Sequence, residues 1–409
     1  MSILNNIIEQ RAVVGWVIYD IGTTLFYVGI IGLFFPLWVT HNLGGDDSTV
    51  GFTIAISMIV MLFLAPVVGT LSDQLAHRKR LLGLTSFICI GSTFMMGGDD
   101  MRWALALFVV AFIALQSSSI FYNAMISDVS TKSNRGTISG IGVGVGYIGA
   151  ILAVAIGLIL VVSDNYVTGF RVIGVLFLIV SLPILMFLNE GSRSQIPSTT
   201  IQKISNLFFR LRTAIQGIRN IPGLAKFLFA RFWYMCAVNT SSSFAILYGT
   251  DTVGFSEREV EFILLIGILI AIPSSVLCGR FVDRVGPEQA LPLILIGWLA
   301  LMIAAIVIPV MELPSQLWLL MGVTSGILVA SVWTVDRPYI LLFSRSQNVG
   351  EFFGIHSSFG RLSAMTGSFS WGFISVTLGL GQISAVIFLT FCVLVAFVVL
   401  MWPTIKIRN

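Results

Sequence analysis

The 409-residue sequence predicts an all-α integral membrane protein with twelve transmembrane helices in two pseudo-symmetric six-helix bundles. Three observations predict that class. Hydrophobic residues make up 56% of the chain and charged residues only 10%, against about 25% charged in a soluble domain, and the mean hydropathy is +0.97. Apolar runs of the roughly 20 residues needed to cross a bilayer recur along the chain. A loop motif also appears twice, at matching places in the two halves. These features exclude a soluble fold and make lipid the chain's solvent.

Taken in order, the apolar runs place spans at Trp16 to Thr40, Val50 to Leu71, Leu81 to Gly97, Trp103 to Tyr122, Thr137 to Val162 and Phe170 to Leu188. The first is too long for a signal-peptide core and precedes no small-residue cleavage site, so it is expected to remain as a span. The second set is Phe227 to Tyr248, Val260 to Leu277, Ala290 to Val310, Leu317 to Val335, Gly354 to Leu378 and Ile383 to Met401. Residues 1–188 and 227–409 are thus the expected bundles, joined by a polar linker over 189–226. In that linker Ile201, Ile204, Phe208, Leu211, Ile215 and Ile218 recur at helical spacing, with Lys203, Arg210, Arg212 and Arg219 off the stripe. That pattern predicts an amphipathic helix on the membrane surface.

Orientation follows from the basic residues. Of the 23 Lys and Arg, 18 fall on the side that holds the N-terminus, the opposite side keeps only Arg102, Arg171 and Arg258, and Arg231 and Arg361 lie within spans. By the positive-inside rule both termini are expected in the cytoplasm, and the short loops favour a bacterial inner membrane. The net charge of +4 is spread over short segments between apolar runs, which argues against a nucleic-acid surface. Cys89, Cys236, Cys278 and Cys392 sit inside apolar runs with no CxxC pair, so no disulfide framework, metal site or cofactor is expected.

The repeated motif is GTLSDQLAHRKRL, Gly69 to Leu81, and GRFVDRVGPEQAL, Gly279 to Leu291. Gly69 pairs with Gly279, Asp73 with Asp283 and Leu81 with Leu291, all at one interval, as a duplicated six-helix unit requires. Spans two and eight are also both expected to be entered through a serine cap, Ser48 and Ser256, the second with Glu259 three residues on as a capping box. With these residues the chain resembles the major facilitator superfamily, whose loop signature after helices two and eight is Gly-x-Leu-x-Asp followed by basic residues. The resemblance implies a conformational gate made by Gly69, Asp73, Arg78, Gly279, Asp283 and Arg284. It also implies that Asp73 docks near the start of span eleven and Asp283 near the start of span five, holding an outward-open state. Three further segments, WVIYDIGTTLF (Trp16 to Phe26), Phe121 to Ala150, and EFFGIHSSFGRLSAMTGSF (Glu351 to Phe369), resemble the vacuolar amino-acid effluxer-like family of autophagy and its bacterial relatives.

Charged groups inside spans cost about 2.5 to 3.5 kcal/mol on insertion scales, so they face cavities or partners. Asp20 lies about 6 Å inside span one at 1.5 Å per residue. It is the candidate carrier of a proton or ligand for a substrate amine, or else half of a structural ion pair. Arg361, about 10 Å into span eleven, either binds a substrate carboxylate bidentately or snorkels to the surface. Arg231, a turn from its span's end, is expected to snorkel. Tyr19, Tyr122, Asn123, Asn239 and the Thr240 to Ser243 run lie on spans one, four and seven, which line the cavity in the superfamily by resemblance. The glycines of span five spell a dinucleotide fingerprint from Gly144 to Gly149, but no strand precedes them, and close helix packing is the better reading.

The sequence contains no Gly-Lys-Ser/Thr, so energy is expected from a gradient or from the substrate itself. The histidines His41, His77 and His356 give no deep Ser–His pair or metal cluster, which argues against an enzyme. The reading is a monomeric secondary transporter of a small polar solute, an amino acid or similar zwitterion by resemblance, working by alternating access with proton coupling through Asp20. Its rivals are an exporter of drugs, sugars or organic ions, separated by substrate competition, and a non-transporting assembly factor on the same fold, separated by a stable protein partner.

Overall fold

The computed structural model describes residues 2–75, 77–161, 164–188, 221, 223–345 and 347–402. The amphipathic helix expected over 201–218 lies outside them. In lipid no water completes the backbone's hydrogen bonds, so each apolar run closes them internally as a helix. The first half consists of α1, which runs Ser2–Leu25 and continues through a π-helical segment Phe26–Phe34 into Phe35–His41, then α2 (Asp47–Leu75), α3 (Arg78–Met95), α4 (Met101–Ala124), α5 (Arg135–Leu160) and α6 (Tyr166–Phe187). The second half consists of α7 (Leu224–Asp251), α8 (Glu257–Val285), α9 (Pro287–Val310), α10 (Leu317–Leu341), α11 (Val349–Gly372, extended by a π-helical Phe373–Thr377) and α12 (Gly381–Met401).

Nine of these helices are apolar enough on their own to cross a bilayer; α3, α7 and α11 carry more polar groups. Those three are covered by neighbours: α3 packs on α4, while α7 and α11 pack on each other. Within the first half α1 also lies against α5 and α6, and the second half repeats that arrangement with α7 against α11 and α12. The halves meet where α2 runs along α11 and α5 runs along α8. Side chains such as Phe63, Leu158 and Val376 are exposed on the outer surface, as a lipid-facing belt requires.

The two crossings between halves depend on glycine. A Cβ on Gly69 would run into the carbonyl oxygen of Gly350, and one on Gly279 would run into that of Gly136. Each crossing therefore brings backbone against backbone, the packing that small residues permit in membranes. Gly140 and Gly144 extend the same crossing against Ser275 and Ile272 of α8, while Gly142 under the Trp16 ring and Gly149 against the Ile21 carbonyl act similarly inside the first half.

Most helices run past the expected spans, α8 to Val285 and not Leu277 and α11 from Val349 and not Gly354, and two of the ends bear on caps and charges. Ser256 does cap α8 in a full capping box with Glu259, but Ser48 lies inside α2. The α2 cap is Asp46, which accepts from the Thr49 N–H at 2.8 Å and from its hydroxyl. Those bonds, the hydroxyl's first, hold the Asp46 carboxyl below the usual carboxylate range. The tenth span was also expected to end at Val335, whereas α10 continues to Leu341 through Asp336, Arg337 and Pro338. The helix continues because both charges find partners.

Candidate functional site

Contacts between the halves form successive layers, starting at the end that carries the α2–α3 and α8–α9 loops. In the outermost layer Asp73 Oδ1 accepts from the Gly350 N–H at 2.9 Å, and Oδ2 accepts from Glu351 N–H at 2.8 Å. Asp283 does the same at the start of α5, accepting from Gly136 N–H at 2.6 Å and Thr137 N–H at 2.8 Å. The first N–H groups of a helix have no partner within it, and its dipole favours an anion there. A carboxylate supplied by the other half answers both needs. The copies differ in their basic residue: Arg78 is 1% exposed and bonds to Asp73 and Ser72, whereas Arg284 is exposed. Between these latches lies a vestibule of about 920 Å³, lined by Asp73, Arg78, Lys132, Arg135, Asp283 and Arg345 among others.

The next layer centres on Asp20. Thr23 donates its hydroxyl to Asp20 Oδ1 at 3.0 Å, and Arg337 of α10 donates Nη2 to Oδ2 at 3.2 Å. Arg337 also donates Nε to Asn123 Oδ1 at 2.8 Å. Its guanidinium carbon stands 5.5 Å from the Trp16 ring centroid and 5.3 Å from that of Tyr122. Those rings stack at 4.6 Å, with Tyr19 beside Tyr122 and its hydroxyl 2.7 Å from Ser86 Oγ.

The third layer centres on Arg361, which is 6% exposed. Its Nη2 donates to Gln116 Oε1 of α4 at 3.0 Å, and Nη1 donates to Ser357 Oγ. Tyr27, in the π-helical segment of α1, donates its hydroxyl to the same Gln116 oxygen at 2.7 Å. Among the described residues no carboxylate pairs with Arg361, and its Nε has no hydrogen-bond partner.

Behind this layer the second half holds its own charge cluster. Arg231, 3% exposed, donates Nε and Nη2 to the Asp336 carboxylate at 2.9 to 3.1 Å. The expected snorkelling of Arg231 is therefore corrected: the carboxylate on α10 neutralises it in place. Tyr234 donates to Asp336 Oδ1 at 2.6 Å, and His356 Nε2 lies 2.8 Å from Oδ2.

The family model described as Major Facilitator Superfamily matches residues 21–335. The chain belongs to that superfamily. Like its other members, it moves a solute across a membrane by alternating access between two halves, and the family and fold are those of transporters, not enzymes. An uncharacterised transporter of the same superfamily in Bacillus subtilis (strain 168), YxiO, is 26% identical over 377 residues, covering 86% of this chain and 85% of the relative. Solved structures that share the fold include the following two. A bacterial homologue of the iron transporter ferroportin in its outward-facing state matches with TM-score 0.72 and 16% identity, over 96% of this chain and 98% of that one. The E. coli fucose:proton symporter FucP matches with TM-score 0.71 and 13% identity, over 96% and 97%.

In this transporter the structure brings Tyr19, Asp20, Tyr122 and Asn123 into one cluster and places Arg361 in another. Asp20 and Arg361, the candidate ligands for a solute's amine and carboxylate, each bond a different partner from the opposite half. Asn239 is half-buried on α7, and among the described residues no side-chain hydrogen bond joins it to either cluster. Sequence reasoning missed Gln116, Asp336, Arg337 and the role of His356. Arg337 lies just past the expected end of span ten at Val335 and so reads as a loop charge, although the helix runs on through it to Leu341. Gln116, an amide in the apolar run of α4, was the other available signal.

Proposed function

We propose that this transporter carries a small polar solute bearing a carboxylate, an amino acid or similar zwitterion, with Arg361 as the carboxylate's ligand. The observation that carries this reading is the isolation of Arg361, a buried guanidinium that, among the described residues, bridges the halves through neutral oxygens only. A buried cation with no anion costs several kcal/mol, and a solute carboxylate accepting two parallel N–H bonds would offset that cost. Asp20 serves as the coupling site: a proton placed on its carboxyl removes the charge that holds Arg337. The latched end is the cytoplasmic side, which carries both termini and most basic residues, so this state faces outward. The protein works as a monomer in a bacterial inner membrane.

The test is reconstitution in liposomes with labelled amino acids, with and without an inward proton gradient. Saturable uptake, enhanced by the gradient and inhibited by carboxylates but not their amides, is the expected result. Folded, inserted protein that takes up no carboxylate-bearing solute would overturn the reading.

One observation favours a second reading, an exporter of apolar organic solutes. A cavity of about 330 Å³ in the second half is walled by Phe244, Tyr248, Trp298, Trp318 and Trp371, surfaces suited to flat apolar rings. Competition by hydrophobic organic ions in the same liposomes distinguishes it.

A further inference from the structure

The layer around Asp20 divides unevenly between the halves. Every group that receives the guanidinium belongs to the first half: the Trp16 and Tyr122 ring faces, the Asp20 carboxylate and the Asn123 amide oxygen. The guanidinium alone comes from the second half, on α10. The receiving groups are also held by bonds that do not involve Arg337. Trp16 Nε1 donates to the Tyr122 carbonyl oxygen at 2.9 Å, the two rings lie 12° from parallel, and Thr23 steadies Asp20 through the Oδ1 that Arg337 does not use. Two aromatic faces, a carboxylate and an amide oxygen around one point are what a desolvated organic cation requires. In this state the chain's own arginine fills that point.

Alternating access moves the halves as rigid bodies. When they part at the latched end, Arg337 leaves with α10 and the first half keeps its rings and an uncompensated Asp20. The next residue, Pro338, lines the vestibule at that end, which gives the emptied site a route to that side's solution. One site group is left over in the filled site: among the described residues the Tyr122 hydroxyl forms no hydrogen bond, and its oxygen can accept from an ammonium or guanidinium N–H. The tethered guanidinium therefore leaves one acceptor of the site unused.

We propose that Trp16, Asp20, Tyr122 and Asn123 form a binding site for a guanidinium or primary ammonium group, occupied by Arg337 in the latched state and open to a cationic ligand once the latched end opens. Such a ligand competes with Arg337 for the same carboxylate, so it binds only the state in which the halves have parted and shifts the population toward it. The inference rests on alternating access and the geometry of this layer, and is independent of the carboxylate site at Arg361.

The test uses the full-length protein with a reporter cysteine replacing Ser139, a residue 0% exposed whose hydroxyl donates across the halves to the Thr334 carbonyl oxygen at 2.8 Å. The four native cysteines are all buried, so labelling of the reporter follows the parting of the halves. Methylguanidinium at millimolar concentration is expected to raise the labelling rate at least threefold, and Asp20→Asn is expected to remove that response. Arg337→Ala, or Arg337→Lys if the alanine variant does not fold, should bind methylguanidinium more tightly than the wild type, because the internal competitor is gone or weakened. The response should persist with Arg361→Gln, which separates this site from the carboxylate reading. A labelling rate unchanged by methylguanidinium, or a response that survives Asp20→Asn, would overturn the proposal.

Discussion

Arg231 and Arg361 are both buried in the second half, 3% and 6% exposed, yet their surroundings are opposite. Arg231 has a carboxylate, Asp336, on two of its nitrogens, and that carboxylate also holds Tyr234. Among the described residues Arg361 has only an amide oxygen and a hydroxyl, and its amide partner belongs to the other half. One arginine is neutralised inside a single rigid unit and serves packing. The other keeps its charge at a junction that must open and close. In a low-dielectric interior, a charge left uncompensated at a moving interface is a position where a ligand's charge has the most effect.

The largest effect expected from this comparison is on stability. Asp336→Ala should leave Arg231 buried without its carboxylate and destabilise the protein by about 3 to 5 kcal/mol, read as a large fall in thermal midpoint in detergent. Replacing both partners, Arg231→Met with Asp336→Leu, should recover most of it. An Asp336→Ala protein as stable as wild type would break the comparison. Arg361→Gln should do the reverse, leaving the thermal midpoint no lower than that of the wild type, because it removes an uncompensated buried charge, while solute affinity falls roughly ten- to a hundredfold, about 1.4 to 2.8 kcal/mol. An unchanged KM for transport would remove Arg361 from the site.

Asp283→Asn is expected to weaken one latch by about 1 kcal/mol, rising to about 2 where partly buried, and to raise accessibility of the Ser139→Cys reporter several-fold. Asp73→Asn should have the larger effect of the two, because it also takes a carboxylate from buried Arg78. Unchanged accessibility in both variants would exclude the gate. The smallest effect should come from Tyr27→Phe, which deletes one hydrogen bond to Gln116, about 0.5 to 1.5 kcal/mol. A few-fold rise in KM is the expected reading, and no change would place Tyr27 outside the solute's layer.

The helices were legible because hydropathy and length are local properties, and the repeated Gly69 and Gly279 motifs made the duplication legible as well. Asp20 and Arg361 stood out because a charge within an apolar run is conspicuous. What could not be read was which charge meets which. Arg337 looked like one more basic loop residue because apolar content stops at Val335, but the helix does not stop there; its charges are satisfied by Asp20, Arg231 and His356 on α1, α7 and α11. Partners that far apart in sequence leave no spacing signal. For the same reason Arg231 read as a snorkelling residue: the carboxylate that buries it is 105 residues away.

The central claim, that Arg361 awaits a carboxylate, is tested most directly by ligand-induced thermal stabilisation of purified protein, comparing each amino acid with its own amide. The account predicts that at least one carboxylate raises the wild-type midpoint while its amide does not, and that Arg361→Gln loses the distinction with its unliganded midpoint no lower than that of the wild type. Stabilisation by an amide equal to that by its acid, or a preference for the acid that persists in Arg361→Gln, would contradict it.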